Sequence, residues 1–168
     1  DTSFTINSAY EKEKKSFPFI EIANNDSIEG VNVDNNLVYS KTNGRDLHLD
    51  VYSIEINNLK SPLVILIHGG GWRSGDRHQQ SELAKALALR GYITVTVEYR
   101  LSPEAKYPAA IFDLKTAVRF LKNNSEKLNI DTNKVAILGC SSGGHLASFI
   151  GVTNQLKSFE SEGEYSNN

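Results

Sequence analysis

The sequence predicts an α/β fold: a mostly parallel sheet that follows an antiparallel hairpin and carries helices on both faces. Three observations lead to this prediction. Two short strand-like segments flank an Asn-Gly pair early in the chain, three later segments are short and apolar, and helical patterns lie between those later segments. Short apolar runs suit parallel strands that are covered on both faces, and strands that alternate with helices are typical of such a sheet.

The first two predicted strands lie around residues 37–40 and 47–53. The second alternates apolar with polar residues, which is the period of a half-buried strand. Asn43-Gly44 between them indicates a hairpin turn, because both residue types tolerate a positive φ. Residues 1–35 are polar, rich in Asn and only weakly periodic, so we expect an extended segment that leads into the hairpin.

Three short runs follow and are predicted to form the parallel strands: the apolar residues 63–67, the β-branched residues 93–97 and the apolar residues 135–138. A helix is expected over residues 81–90, where apolar side chains share one face and Gly91 ends the pattern. Pro108 begins a second helix, since proline suits the first helical turn, and that helix ends near Asn123. A third helix should begin just after Ser141.

The composition is that of an ordinary globular domain with little charge bias. The 168 residues are 39% hydrophobic and 23% charged, with a net charge of −2, which gives no indication of a nucleic-acid partner. The longest apolar run, Leu63–Ile67, is far shorter than the about 20 residues that a membrane span needs. A single cysteine excludes an internal disulfide. The chain has no methionine, so we expect that an upstream segment was removed, which favours an extracellular or periplasmic location and leaves a cytoplasmic one open.

The first candidate site is the segment Gly139-Cys140-Ser141-Ser142-Gly143, which fits the G-x-S-x-G pattern of a nucleophile elbow. It lies between a predicted buried strand and a predicted helix, as that turn requires. A serine at such a sharp turn needs small neighbours, and its hydroxyl is exposed above the sheet at the positive end of the helix. The alternative is a structural Gly-rich turn. We interpret Ser141 as a catalytic nucleophile, and Cys140 as a small buried residue beside it.

The second candidate site, His68-Gly69-Gly70-Gly71-Trp72, directly follows the first predicted parallel strand. Three glycines leave backbone N–H groups uncovered, so these groups can point into a cleft as an oxyanion hole. A flexible turn and a phosphate cradle are the alternatives, but a phosphate loop would end in Lys-Ser or Lys-Thr, which is absent here. Each motif lies at the carboxyl end of a predicted parallel strand, and the combination is more specific than either motif alone.

Together with two further segments, these motifs resemble the HGGG-type esterases of the α/β-hydrolase superfamily over roughly residues 36–154. The further segments are Glu98–Glu104 and Tyr107–Ala110 with Asp113. This grouping includes hormone-sensitive-lipase-like carboxylesterases and bacterial acetylxylan and feruloyl esterase-like proteins. The resemblance implies an α/β-hydrolase fold, with residues 36–168 as the N-terminal part of the domain.

The same resemblance implies the roles of the site residues. Ser141 is the nucleophile that carries the acyl group, and the N–H groups of Gly70, Gly71 and Ser142 hold the developing oxyanion. The other motif residues support these two sites: His68, Gly69, Trp72, Gly139 and Gly143. No metal or organic cofactor is required. The implied substrates are short acyl esters, including acetyl or feruloyl esters of plant polysaccharide.

The sequence departs from this family downstream of the nucleophile. Triads of α/β-hydrolases follow the chain order Ser, Asp or Glu, His, yet no aspartate follows Ser141 and the only later histidine is His145. That histidine is too close to Ser141 along the chain to act as the base. We therefore expect an N-terminal fragment, with the triad acid and base beyond residue 168. Asp113 precedes the nucleophile, and the resemblance implies that it pairs with Arg100.

The sequence thus favours a serine esterase, and two other classes of function stay open. A formamidase or a peptidase could use the same scaffold, and assays with ester, amide and formamide substrates separate them. A non-catalytic binding module is a known outcome for this fold when triad residues are lost. The expected partner is a small-molecule or carbohydrate ester, and neither the oligomeric state nor the substrate's exact acyl and alcohol parts can be predicted. His48 is expected to be exposed on the polar face of its strand. His78 follows the oxyanion loop and is expected at the surface, with contact to the substrate as the alternative.

Overall fold

The computed structural model describes residues 5–22, 29–42, 44–55, 60–154 and 156–159. Its centre is a five-stranded sheet: β1 (Asn32–Thr42), β2 (Arg45–Ser53), β3 (Ser61–Ile67), β4 (Ile93–Val97) and β5 (Ile130–Gly139). The strands lie in the order β1-β2-β4-β3-β5. β3 is parallel to β4 and β5, whereas β2 is antiparallel to β1 and β4. The predicted hairpin and parallel centre are therefore confirmed, and the described sheet is mixed rather than mostly parallel.

β1 and β2 form the predicted hairpin. Thr42 pairs with Arg45, so the turn between the strands contains two residues. Gly44 in this turn has a φ of +85°, as a tight hairpin requires. Asn43, the other predicted turn residue, lies outside the described residues.

β1 begins earlier than the sequence predicts, at Asn32. Its pairing with β2 shifts register between Asp34 and Leu37. Asn36 lies at this irregularity and has a φ of +57°, a left-handed conformation that asparagine tolerates better than most residues. The irregularity interrupts the alternation of the strand, which explains why a search for period two finds only its second half.

The described residues also form four α-helices and two 3₁₀ helices: α1 (Ile6–Glu13), α2 (Ser81–Ala88), α3 (Ala109–Asn123), α4 (Ser142–Val152), and the 3₁₀ helices Arg77–Gln80 and Lys157–Phe159. The three helices that the sequence predicts correspond to α2, α3 and α4. The longest of the described helices, α3, has 15 residues. None of them combines the length and the apolar character that crossing a membrane demands.

β3 separates two hydrophobic clusters, because successive side chains of a strand point to opposite faces. Leu63, Ile65 and Ile67 pack in one cluster with residues of α3 and α4. Val64 and Leu66 pack in the other cluster with residues of α2. Helices therefore cover both faces of the sheet, as predicted. Burial of β3 on both faces fixes its carboxyl end, where the Gly-rich loop begins.

β5 lies at one edge of the described sheet and pairs there with β3. Val135 and Leu138 are 36% and 45% exposed. The sequence predicts that residues 135–138 are buried on both faces, and for the described residues this prediction is wrong. An edge strand lacks a second neighbouring strand, so solvent reaches side chains that a central strand such as β3 would bury.

The N-terminal segment contains a helix rather than the fully extended lead-in predicted for residues 1–35. α1 begins after a capping box, in which the Ser8 N–H donates to Thr5 Oγ1 over 3.0 Å and the Thr5 N–H donates to Ser8 Oγ over 2.9 Å. These bonds satisfy backbone donors that a helix start otherwise leaves open. A serine in place of the usual Glu or Gln, together with weak apolar periodicity, makes this helix start hard to recognise.

Candidate active site

Ser141 lies at the turn between β5 and α4. Its backbone has φ +53° and ψ −121°, a region that residues other than glycine rarely adopt. The residue is exposed and occupies the N-cap position of α4, where free N–H groups and the helix dipole favour negative charge. The structure thus places the predicted nucleophile on a strained strand-to-helix turn with its side chain accessible.

Two glycines allow this turn to form. A Cβ atom added to Gly139 would lie 2.2 Å from the carbonyl carbon of Gly143, and one added to Gly143 would lie 2.3 Å from the Ile67 carbonyl oxygen. Both distances are far inside van der Waals contact, and the atoms that would clash belong to the backbone. The elbow therefore packs directly against itself and against the end of β3, which only glycine at these positions permits.

The Gly-rich loop follows β3 and lies against the elbow. A Cβ atom added to Gly69 would lie 2.8 Å from the Cys140 carbonyl oxygen. Gly70 and Gly71 have φ values of +128° and +61°, and Trp72 has a φ of +62°. Three successive left-handed residues turn the chain sharply above the sheet, and glycine at the first two positions removes most of the steric cost. The two predicted motifs thus meet at the carboxyl edge of the parallel strands.

Backbone N–H groups near Ser141 are free to bind a ligand. Among the described residues, the amides of Gly70, Gly71 and Ser142 donate to no protein acceptor, whereas the Gly143 N–H donates to the Cys140 carbonyl over 2.8 Å. Unpaired amides at a loop and at a helix N-terminus are the groups from which oxyanion holes are built. Their convergence on one substrate oxygen stays a prediction.

His68 is a supporting residue of the Gly-rich loop. It is 1% exposed, and its ring stacks on Tyr99 with centroids 4.5 Å apart. Its Nδ1 lies 2.8 Å from the Gly69 carbonyl oxygen, and the Tyr99 hydroxyl donates to the His68 carbonyl over 3.0 Å. Burial lowers the pKa of His68, against a smaller opposing effect of the Gly69 hydrogen bond. Burial also raises the pKa of Tyr99 to about 12, so both side chains are neutral at pH 7.

A second loop, after β4, supports the first. The Ser102 N–H donates to the Trp72 carbonyl over 2.7 Å. Arg100 forms a bidentate pair with Asp113, with Nη2 2.7 Å from Oδ1 and Nε 2.9 Å from Oδ2. Asp113 is 3% exposed and also accepts the Arg100 backbone N–H. This confirms the structural pair implied by the resemblance, and it leaves the Asp113 carboxylate engaged away from Ser141.

Asp50 and Arg77 form a largely buried ion pair that no local sequence pattern predicts. Asp50 in β2 is completely buried, and its Oδ2 accepts a hydrogen bond from Arg77 Nε over 2.8 Å. Its other oxygen accepts the Asn36 N–H over 2.7 Å. Asp50 lies on the polar face of the predicted strand with His48 and Tyr52, so the alternation gives no signal of its burial. A buried carboxylate needs a partner, and only the structure shows that this partner is Arg77.

Glu98 extends this ion pair into a network at the end of β4. Its carboxylate contacts Arg45, lies 3.3 Å from His48 Nδ1 and lies 3.5 Å from Arg77 Nη1. Burial alone would raise the pKa of Glu98, but the Arg45 contact and the His48 hydrogen bonds lower it overall. The His48 side chain is 30% exposed, so the expectation of a freely exposed residue is wrong, because Glu98 holds the ring against the protein.

No histidine is placed as a base for Ser141. In the part of the chain that the structure describes, none of the four histidines is hydrogen-bonded to the Ser141 hydroxyl. His145 packs its ring edge-to-face on Trp72, with centroids 5.4 Å apart. The His78 side chain is 63% exposed and pairs with Asp76 at 3.1 Å, as expected for a surface residue.

A cavity of about 680 Å³ lies beside Ser141. The Gly-rich loop and the elbow form one side, and Gln79, Gln80 and Ala9 belong to the other lining residues. Cys140 also lines the cavity and is exposed, so the expectation of a buried cysteine is wrong. No group of three potential metal ligands occurs among the described residues, and the lining offers amides and hydroxyls.

Comparison with known proteins gives a consistent result. The BD-FAE family profile matches residues 49–168. An arylesterase from Saccharolobus solfataricus is 34% identical over 67% of this chain and 38% of its own length. An inhibited esterase B from Lactobacillus rhamnosis superposes with a TM-score of 0.73 at 27% identity, over 90% of this chain and 48% of its own. A truncated carbohydrate esterase from gut microbiota has a TM-score of 0.66 at 33% identity, over 75% of this chain and 45% of its own. This chain thus spans about half or less of the length of each of these relatives.

Proposed function

This chain belongs to the BD-FAE family of α/β-hydrolases, and we propose on that basis that the protein is a serine esterase that hydrolyses short acyl esters through Ser141. The observation that carries the proposal is the position of Ser141. It lies on a strained turn with φ +53° at the N-terminus of α4, against a Gly-rich loop whose amides at Gly70 and Gly71 are unpaired among the described residues. The relatives named above are esterases.

The proposed reaction is a two-step acyl transfer. Ser141 Oγ attacks the ester carbonyl carbon, a base takes its proton, and the carbonyl oxygen becomes an oxyanion that the amides of Gly70, Gly71 and Ser142 stabilise. The carbonyl re-forms as the alcohol leaves with that proton, and the acyl group stays on Ser141. Water then attacks the acyl-enzyme and releases the acid. The base is left unassigned among the described residues, because no histidine side chain there is hydrogen-bonded to the Ser141 hydroxyl.

The substrate belongs, in this proposal, to the acyl esters of carbohydrates, with acetyl and feruloyl esters as the first to test. The support is the likeness to a carbohydrate esterase from gut microbiota. The cavity beside Ser141 has a volume of about 680 Å³, which is within the range of small-molecule sites, about 300–1,000 Å³. Its lining includes Ser74, Gln79 and Gln80, polar side chains without charge that suit a neutral ligand.

The test is Ser141→Ala in the natural full-length protein. We expect kcat for a short aryl ester to fall on the order of 10⁴-fold or more, because the attacking oxygen is removed, and labelling by a fluorophosphonate to stop. Ser148→Ala is the matched control, since Ser148 lies exposed on α4 and its hydroxyl bonds only the Gly144 carbonyl among the described residues. Near-native turnover by Ser141→Ala would refute the proposal. Amide and formamide analogues of the same leaving group test whether esters are the preferred class.

A further inference from the structure

The 3₁₀ helix Arg77–Gln80 follows the Gly-rich loop. Its first residue, Arg77, belongs to a largely buried cluster of charged side chains. Arg77 is 11% exposed at its side chain, and its partner Asp50 is not exposed at all. The Arg77 guanidinium contacts three separate elements: Asp50 in β2, the Asn36 side chain in β1 and Glu98 after β4. An arginine held on three sides has little freedom to move.

The irregularity in β1 brings Asn36 into contact with both Asp50 and Arg77. Asn36 adopts a φ of +57° where the β1–β2 register shifts. In that conformation its N–H donates to Asp50 Oδ1 over 2.7 Å while its side-chain oxygen accepts from Arg77 Nη2. Bulges that re-aim a side chain occur preferentially beside functional sites. The strained residue therefore completes the coordination of both members of the ion pair.

Close packing within the Gly-rich loop links the position of Arg77 to the positions of the loop glycines. A Cβ atom added to Gly75 would lie 2.5 Å from the Gly69 carbonyl oxygen and 2.9 Å from Gln79 Oε1. One added to Gly70 would lie 2.1 Å from the Ser74 carbonyl oxygen. The two limbs of the loop thus pack against each other without free space between them. Close packing of this kind passes a displacement on, instead of absorbing it.

We propose that Arg77 is a positioning residue for the oxyanion loop, and that the cluster of buried Asp50 with Arg77 and Asn36 sets where the amides of Gly70 and Gly71 lie. The loop is fixed at its first end by His68 and Tyr99, and Arg77 fixes its second end. Oxyanion donors act only when they lie about 2.7–3.1 Å from the charge that develops, so a small shift of this second anchor reduces turnover. The inference rests on the proposed function.

The experiment separates positioning from stability by a double variant in the natural full-length protein. Arg77→Met alone removes the arginine from buried Asp50 and leaves His78, with its Nε2 3.7 Å from Asp50 Oδ2, as the other basic neighbour, so both Tm and kcat should fall. Asp50→Asn combined with Arg77→Met removes both charges, so Tm should return towards the wild-type value. We expect kcat of the double variant for a short aryl ester to stay about tenfold or more below wild type, with KM changed less than about threefold. Arg90→Met, at an exposed position two residues after α2, is the control.

A second readout does not depend on esterase activity. In the double variant, amide hydrogen exchange should be faster in a peptide covering residues 68–76 and unchanged in β4. Recovery of kcat together with Tm, or equal exchange in the loop peptide, would overturn the positioning role. An inactive wild-type protein would refute the proposed esterase function instead, and the exchange measurement would still decide the role of Arg77.

Discussion

Gly69 lies against Ser141: a Cβ atom added to Gly69 would be 3.3 Å from the Ser141 Cβ and 2.8 Å from the Cys140 carbonyl oxygen. The Gly-rich loop and the nucleophile elbow are therefore in direct contact, with no room for a methyl group between them. This contact determines how far the loop amides lie from the serine hydroxyl, and it makes the geometry of one motif depend on the other.

Gly69→Ala should impair Ser141 without removing it. The added methyl group forces the loop and the elbow apart, so we expect fluorophosphonate labelling of Ser141 in the full-length protein to slow by about tenfold or more, since donor geometry is lost. Gly151→Ala is the control, because a Cβ atom there meets nothing within 4 Å and alanine suits a helix better by about 0.5–1 kcal/mol. Unchanged labelling of Gly69→Ala would show that the loop adjusts freely.

Gly143→Ala should lower the stability of the whole fold and not only disturb the candidate active site. Its Cβ atom would lie 2.3 Å from the Ile67 carbonyl oxygen and 2.6 Å from that of His68, so the end of β3 must shift. We expect a loss of about 1–3 kcal/mol in the free energy of unfolding, as for overpacked interiors, measured by urea denaturation. Gly144→Ala is the control, because a Cβ atom at Gly144 would lie 3.1 Å from its nearest atom. It should lower the free energy of unfolding clearly less, and equal losses in the two variants would contradict this account.

Stability should depend on His68 in mildly acidic solution. Burial lowers the pKa of His68 from 6.5 in the folded state, so between the lowered folded value and 6.5 the unfolded chain binds more protons. The free energy of unfolding therefore falls as the pH drops below 6.5 and rises again towards neutral pH. Urea denaturation between pH 5 and 7.5 should show this slope in the wild type and a reduced slope in His68→Asn, which retains a donor for the Gly69 carbonyl. An identical slope in both proteins would exclude His68 as its source.

The 168-residue chain by itself should be a weak ester hydrolase at best. None of its four histidine side chains is hydrogen-bonded to the Ser141 hydroxyl within the described residues, and a serine without a base retains only a residual enhancement of about 10³–10⁴ over water. The measurement is aryl ester hydrolysis by the purified chain and by its Ser141→Ala variant. A difference between them as large as that of a complete esterase would place the base within residues 1–168.

Local patterns were sufficient to predict the centre of this fold. β3 is a short apolar run and β4 a short β-branched run, and the glycines of the two motifs follow strands at the same edge, so the sequence alone predicts the positions of residues 63–71 and 139–143. Their clustering follows from parallel strand topology alone. The pairing of Arg100 with Asp113 also agreed with the resemblance.

The features that escaped prediction depend on distant or irregular contacts. The Asp50–Arg77 pair joins two segments that no local period connects, and Asn36 is recognisable only from its backbone angle. Exposure of Cys140 reflects its place above an edge strand, which composition cannot reveal. Periodicity reports which face of an element is apolar, but not which neighbour covers it.

Ala9 of α1 is among the residues that line the cavity beside Ser141, yet it lies outside residues 49–168, the region shared with the family. The cavity wall thus includes residues of the region that the family shares and one residue of α1. Proteins that share this region need not share α1. If the proposed function holds, differences in selectivity can arise upstream of every shared motif. Removing or fusing sequence at the N-terminus then changes the wall of this cavity as well as the end of the chain.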